Sequence, residues 1–339
     1  SHHIKITHLH ESFRYPLQDF MVPFSSLEER FGCRHICGEL QATEDNILQW
    51  KDDKFITIHE EKIEFDYILI ASGAASGRNS QKNNVHDINT FLTISGSELL
   101  NRSLETIDQE KPYISVVGGG ATGIQFLFEI SHFIKRKKME CGLRLIHSSE
   151  RVLQQFPEGF SEYTEARMSN LDIDFQQNTY YQEQAENKIF LKSKETKKEF
   201  ELPSKITLLF LGNNPGKRLS ANTFGQVIIN NQPIRNIFIA GDCSNYDSCG
   251  SNTMSAQSSV RKGRLAACNI LRDSSVLKIF EPYLHQDLGY VISLGPKDAV
   301  GWLAAENNVV GGIPALLLKE TVESQYDLLL ATGIDTYLM

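Results

Sequence analysis

The sequence predicts an α/β protein of two three-layer domains, one inserted into the other. Three observations carry that prediction. Near the middle of the chain an apolar, β-branched strand runs into the turn Val117-Gly-Gly-Gly-Ala-Thr-Gly123. Apolar strands of one design, residues 65–73 and 205–215, stand on either side of it, each closing on a loop rich in small, glycine or proline residues. A further buried-type strand, residues 236–243, ends by presenting Asp242. Apolar strands alternating with amphipathic stretches specify parallel sheets covered by helices. At 339 residues the chain exceeds one typical core, so two or more domains are expected.

Taken in order, residues 31–39 read as a short strand carrying Cys33 and Cys37 on one face. Residues 101–111 form a polar crossover. The strand before Gly118 is followed by a helix through Phe133, whose solvated end is Lys135-Arg-Lys-Lys138. Residues 142–147 are the next parallel strand, 150–171 a loop and helix, and 172–202 a β-meander. Residues 255–272 read as a helix with Ala256, Val260, Leu265, Ala266, Ile270 and Leu271 as its apolar positions. Residues 313–331 form a last helix, with Leu316, Leu317, Tyr326, Leu329 and Leu330 available to one side. The expected division is 1–110 and 226–275 for the first domain, 111–225 for the inserted one, and 276–339 for a small C-terminal extension.

Chemistry enters at the glycine turn. Gly118 permits the tight turn, Gly120 lets backbone N–H groups approach an anion, and Gly123 lets the helix pack closely on its strand. The helix N-terminus at Ala121 and Thr122 then faces that anion with unpaired N–H groups and a favourable dipole. The pattern marks a dinucleotide pyrophosphate site. Asp242, at a strand's C-terminal end, suits sugar hydroxyls or the N-cap of a following helix, and both readings stand. Gln257 is likewise either a group beside a cofactor ring or a capping residue.

Composition excludes other classes. With 42 acidic against 34 basic residues, the net charge of −8 argues against a nucleic-acid partner. No run of about 18 apolar residues and no signal peptide are found, which predicts a cytoplasmic protein. Six scattered cysteines supply neither a redox framework nor a metal set, so no metal is expected.

These segments in this order resemble the two-dinucleotide-binding-domain flavoproteins of the pyridine nucleotide-disulfide oxidoreductase superfamily. The similarity is greatest to the type II NADH dehydrogenase (NADH:quinone oxidoreductase) branch, with its sulfide:quinone and ferroptosis-suppressor-like relatives. Residues 66–73 look like the strand returning to FAD, and 117–130 like the NAD(P)H fingerprint. Residues 237–243 resemble the flavin-binding segment, 253–263 the Ala-Gln helix start, and 288–302 the branch's C-terminal hairpin. The resemblance implies two Rossmann-like domains, with FAD and NAD(P)H as cofactors. Around FAD it implies Ala71, Ser72, Gly73, Gly241, Asp242, Ala256 and Gln257, with Glu11 or His10 as the ribose-binding acid. Around NAD(P)H it implies Gly118, Gly119, Gly120, Ala121, Thr122, Gly123, His147 and Gly212. Gln125 and Gln257 take the catalytic positions.

Four departures accompany the resemblance. The family's opening strand, glycine turn and helix for FAD are not found before residues 2–11, which resemble the second strand of that flavin domain. Gln125 stands where the family has a glutamate, and a glutamine relays no proton. Phe128 replaces a small residue and is expected to crowd the crevice. His147 stands where a carboxylate would bind the ribose 2′-hydroxyl, and with Arg151 near, the site is open to NADPH as well as NADH.

The activity implied is hydride transfer from NAD(P)H to flavin and of two electrons to a quinone-like acceptor. The resemblance also raises peripheral membrane contact through the C-terminal helix, and a homodimer. Two alternatives stay open: reduction of a ferredoxin or sulfur species, and a flavin-free nucleotide-binding protein that kept the fold.

Overall fold

The computed structural model describes residues 2–4, 13–16, 18, 21–74, 84–104, 112–212, 218–250, 252–275 and 279–332. Its centre is a five-stranded parallel sheet in the order Val85–Asp87, Ile206–Leu209, Tyr113–Val117, Gly142–Ile146, Asp174–Gln176. Four of the five residues of Tyr113–Val117, and all four of Ile206–Leu209, are buried. A strand so covered needs continuous apolar residues rather than alternation. The helices Ala121–Lys137 and Glu158–Ser169 lie in the connections between these strands. The meander is present as Thr179–Ala185, Lys188–Ser193 and Glu199–Pro203, all antiparallel.

A second five-stranded sheet runs Ser244–Tyr246, Leu219–Ala221, Gln226–Ile229, Gln232–Ile239, Ile68–Ile70. Gln232–Ile239 and Ile68–Ile70 pair in parallel, so both end on the same rim. The helix Ala256–Ser274 and the shorter Glu44–Asp53 pack on this sheet, the latter through the fully buried Ile47. Val85–Asp87 thus pairs into the first sheet, and Leu219–Ala221 into the second.

One expectation near the N-terminus fails. Residues 31–39 are not a strand: Phe31 ends the helix Phe24–Phe31, Gly32 caps it with φ of 61°, and Cys33 and Cys37 follow as exposed free thiols. A left-handed glycine closing a helix was the overlooked signal. His2–Ile4 pairs antiparallel with Met21–Pro23.

The C-terminal hairpin gains a third strand, giving Gly289–Ser293, Ala299–Leu303 and Val309–Gly311, followed by the helix Ile313–Thr332. Its apolar face does not form a core of its own. Ile292, Leu294, Val300 and Trp302 belong to the same buried cluster as Phe128, Phe133, Phe160 and Ile114 of the inserted domain. Phe128 is therefore covered by the hairpin and does not crowd the nucleotide crevice. No helix among the described residues is long and apolar enough to cross a membrane.

Candidate functional site

The glycine turn is built by contacts that no side chain fits. Gly118 has φ of 111°, and a Cβ there would lie 2.1 Å from the Phe210 carbonyl oxygen. Its N–H donates to Ile146 O at 2.9 Å. A Cβ on Gly123 would lie 1.9 Å from Gly118 O, so the helix approaches its strand only with glycine there. Gly120 is different. It is the N-cap of Ala121–Lys137, and the nearest atom to a Cβ would be Gln155 Nε2 at 3.9 Å.

Gly120 therefore opens on space. A cavity of about 500 Å³ lies over Gly118, Gly119 and Gly120, walled by Ile146, His147, Ser148, Thr179, Tyr180, Tyr181, Phe210 and Gly212. The first N–H groups of the helix that Gly120 caps, at Ala121 and Thr122, lack intrahelical acceptors. Gly212, with φ of 84° and nothing within 4 Å of a Cβ, lines the cavity after Ile206–Leu209.

His147 ends Gly142–Ile146 and folds its ring over Gly119, whose N–H donates to Nδ1 at 3.1 Å. Burial holds this imidazole below its ordinary range, opposed by a hydrogen bond to the Arg151 backbone and aided by the Lys194 charge. The ring is thus neutral with its proton on Nε2. Arg151 is not beside it in function: its guanidinium donates to Gln154 O, Phe156 O and Ser161 Oγ. Gln125 turns back on its own helix, donating to Ala121 O at 3.3 Å.

The second crevice lies where Ile68–Ile70 and Gln232–Ile239 end together. Ala71 and Ser72 are exposed there, and Gly73, with φ of 68°, has nothing within 4 Å of a Cβ. Ala240 N–H donates to Ile70 O, and Gly241, φ of 75°, turns the chain into Asp242. Asp242 Oδ1 accepts from Ser259 Oγ at 3.0 Å. The N-cap of Ala256–Ser274 is Ser255, not Asp242, and it accepts from Ser258 N–H. Ala256 and Gln257 thus carry the helix's first N–H groups without intrahelical acceptors. The Gln257 amide clips the hairpin: Nε2 donates to Gly289 O at 3.3 Å, and Oε1 accepts from Leu288 N–H at 3.1 Å. Glu11 lies outside the described residues.

These residues fit the flavin and ribityl half of FAD. Two positive-φ glycines leave open backbone, one carboxylate sits at a strand end, and a helix N-terminus points N–H groups outward. A glycine turn for the FAD pyrophosphate is not among the described residues.

Sequence reading missed the polar interior of this crevice. The buried face of Ala256–Ser274 is Ser258, Lys262, Leu265, Ala266, Asn269 and Asp273, while Leu271 is 68% exposed. Lys262 is buried with its ammonium 4.9 Å from the Tyr246 ring centroid and 5.7 Å from that of Tyr283. Asp287 accepts from Thr253 Oγ1 and Ser255 Oγ, with His285 Nε2 at 3.6 Å. Spacing of i, i+4, i+7 from Ser258 through Lys262 to Leu265 was the available signal, hidden because a polar stripe reads as the solvated face.

Comparison with known proteins follows this geometry. The family profile described as pyridine nucleotide-disulphide oxidoreductase matches residues 36–263. The external alternative NAD(P)H-ubiquinone oxidoreductase B2, mitochondrial, of Arabidopsis thaliana is 24% identical over 136 residues, which cover 34% of this chain. The match spans only 23% of that relative's length. In fold, the chain is similar to NDH2 from Plasmodium falciparum in complex with NADH, with a TM-score of 0.72 and 15% identity, covering 96% of this chain and 88% of that one. It is similar also to the sulfide:quinone oxidoreductase of Aquifex aeolicus, with a TM-score of 0.70 and 17% identity over 96% of this chain and 82% of that one.

Proposed function

This chain belongs to the pyridine nucleotide-disulphide oxidoreductase family, and on that premise we propose that it is an FAD-dependent NAD(P)H dehydrogenase acting on a quinone-like acceptor. The observation that carries the reading is the glycine turn of Gly118, Gly119 and Gly120 lining a cavity of about 500 Å³, with open space over Gly120. The names of the Arabidopsis relative and of the Plasmodium structure support the donor and the acceptor.

In this reading the N–H groups of Gly120, Ala121 and Thr122 receive the dinucleotide pyrophosphate. Tyr180 and Tyr181 wall the adenosine end. Asp242 accepts from ribityl hydroxyls, and Ser259 holds its carboxylate in place. The N-terminus at Ala256 and Gln257 supports negative charge on the ring's carbonyl edge, worth about 0.3–1 kcal/mol at an exposed terminus and more when buried. Bound FAD would take the hydride and pass two electrons on, so no side-chain nucleophile is required. Gln125, engaged with Ala121 O, holds shape at the helix start and moves no proton.

A second reading, nucleotide binding without turnover, draws on the same Gln125 and on the hairpin-bound amide of Gln257. One experiment separates the two. Purified full-length protein is expected to be yellow and to oxidise NAD(P)H with a soluble quinone. A colourless protein that binds NAD(P)H without oxidising it establishes the second reading instead.

A further inference from the structure

We propose that a cavity beside the helix Glu44–Asp53, apart from both crevices, is a binding site for a small organic cation bearing guanidinium or ammonium groups. The cavity, of about 500 Å³, lies between that helix, residues 39–41 and the strand Phe55–Ile58. None of its lining residues belongs to the cavity over Gly120 or to the crevice at Asp242. The proposal therefore stands whether or not the redox reading does.

Its walls carry two rings, Trp50 and Phe55, and two carboxylates, Glu39 and Asp53, with no lysine, arginine or histidine among the described lining residues. Aromatic faces attract cations through their quadrupole, and a planar guanidinium stacks on a ring while its fork meets a carboxylate. The Phe55 ring already holds one cation: the Lys62 ammonium, from the neighbouring strand, lies 4.0 Å from its centroid. Lys62 stands outside the cavity's walls and does not fill it.

The lining amides add acceptors. Asn46 Nδ2 donates to Gln41 O at 2.7 Å, and Gln49 Nε2 to Asp53 Oδ2 at 3.3 Å. With these nitrogens engaged within the chain, what the two amides offer a ligand is their carbonyl oxygens. The same bonds brace the walls, since Gln41 O also accepts from Thr43 N–H at 2.9 Å. Trp50 and Asp53 stand in the last turn of their helix, at the negative end of its dipole. Residues 39–64 hold eight acidic residues against three basic ones, so most of the chain's net charge of −8 is concentrated here. A donor-rich cation thus meets acceptors, rings and negative charge together, and an anion meets repulsion.

Calorimetric titration of the full chain at low salt tests this with agmatine, a guanidinium and an ammonium on one short chain, against γ-guanidinobutyrate, in which a carboxylate replaces the ammonium. Agmatine is expected to bind saturably, one per chain, and the carboxylate compound at least about tenfold more weakly. Glu39→Gln and Asp53→Asn, both at exposed positions, should each weaken agmatine several-fold, whereas Asp45→Asn, an exposed acid of the same helix outside the cavity, should leave it unchanged. Trp50→Phe should keep the binding and Trp50→Leu lose it, with melting curves showing both to be folded. Unsaturable uptake, equal binding of the two compounds, or an equal loss in Asp45→Asn reduces the effect to diffuse surface charge and overturns the site. Binding of a triarginine peptide with none of agmatine overturns the small-ligand assignment in favour of a basic partner chain.

Discussion

At the scale of single residues, the four glycines of the fingerprint do different work, and substitution separates them. Gly118→Ala places a Cβ 2.1 Å from Phe210 O at a φ of 111°. The dihedral strain alone costs about 1–3 kcal/mol, before the clash. Gly120→Ala meets nothing closer than 3.9 Å, at φ of −81° and ψ of 179° that any residue adopts. Its cost to folding is within about 1 kcal/mol, from the weaker helix cap. Gly118→Ala should therefore lower the melting temperature sharply. Gly120→Ala should melt close to the native protein yet lose NAD(P)H binding, followed by coenzyme fluorescence. An alanine at 120 that binds as the native chain does would remove Gly120 from the site. This much was legible in the sequence, because a close backbone approach can be met only by glycine and so leaves a mark in the residue type. The orientation of His147 was not, since it depends on which backbone N–H its ring finds.

At the scale of elements, the helix Ala256–Ser274 illustrates where periodicity misleads. Leu271 and Ala256 face outward, and the buried stripe is led by Ser258 and Lys262. Burial pulls the Lys262 ammonium down to about 8; the charge of Arg218 adds to this, and Asp242 opposes it. The folded chain thus holds fewer protons here than the unfolded chain between pH 8 and the ordinary lysine value. The resulting penalty is complete below about pH 8 and fades as the pH rises toward about 10.4. It amounts to roughly 3 kcal/mol, of which the two tyrosine faces return about 0.5–2 kcal/mol. Lys262→Met should raise the stability in urea unfolding by about 1–2 kcal/mol at pH 7, and by much less at pH 10. A variant less stable than the native chain at pH 7 would mean that the lysine holds an interaction worth more than its desolvation. The strands beside this helix were readable because parallel strands covered on both sides demand unbroken apolar runs. The helix was not, because its polar residues are drawn inward by the crevice that it borders.

At the scale of the molecule, the C-terminal hairpin is shared property. Trp302, Val300 and Ile292 complete the core of the inserted domain. Arg167 Nε lies 2.6 Å from Asp298 Oδ2, and Tyr163 donates to Asp298 Oδ1. On the other side Gln257 holds Leu288 and Gly289, and Ser255 and Thr253 hold Asp287. Removal of residues 276–339 should therefore not release an intact two-domain protein. It bares Phe128 and Phe160, whose exposure costs about 1.5–3 kcal/mol apiece. The truncated chain is expected to aggregate or to melt well below the native chain, and calorimetry reads the difference. A soluble truncate with an unchanged transition would show the extension to be dispensable.

Sequence pattern could announce the hairpin but not what it covers, since alternation fixes a face and not the neighbour across it. That neighbour decides something further. One short β-unit, packed through its apolar side on the core beneath the first sheet and pinned to the rim of the second through Asp287 and Leu288, sets how far apart the two sheets stand. The span between the two strand-end rims is thereby governed from a stretch of chain that belongs to neither five-stranded sheet.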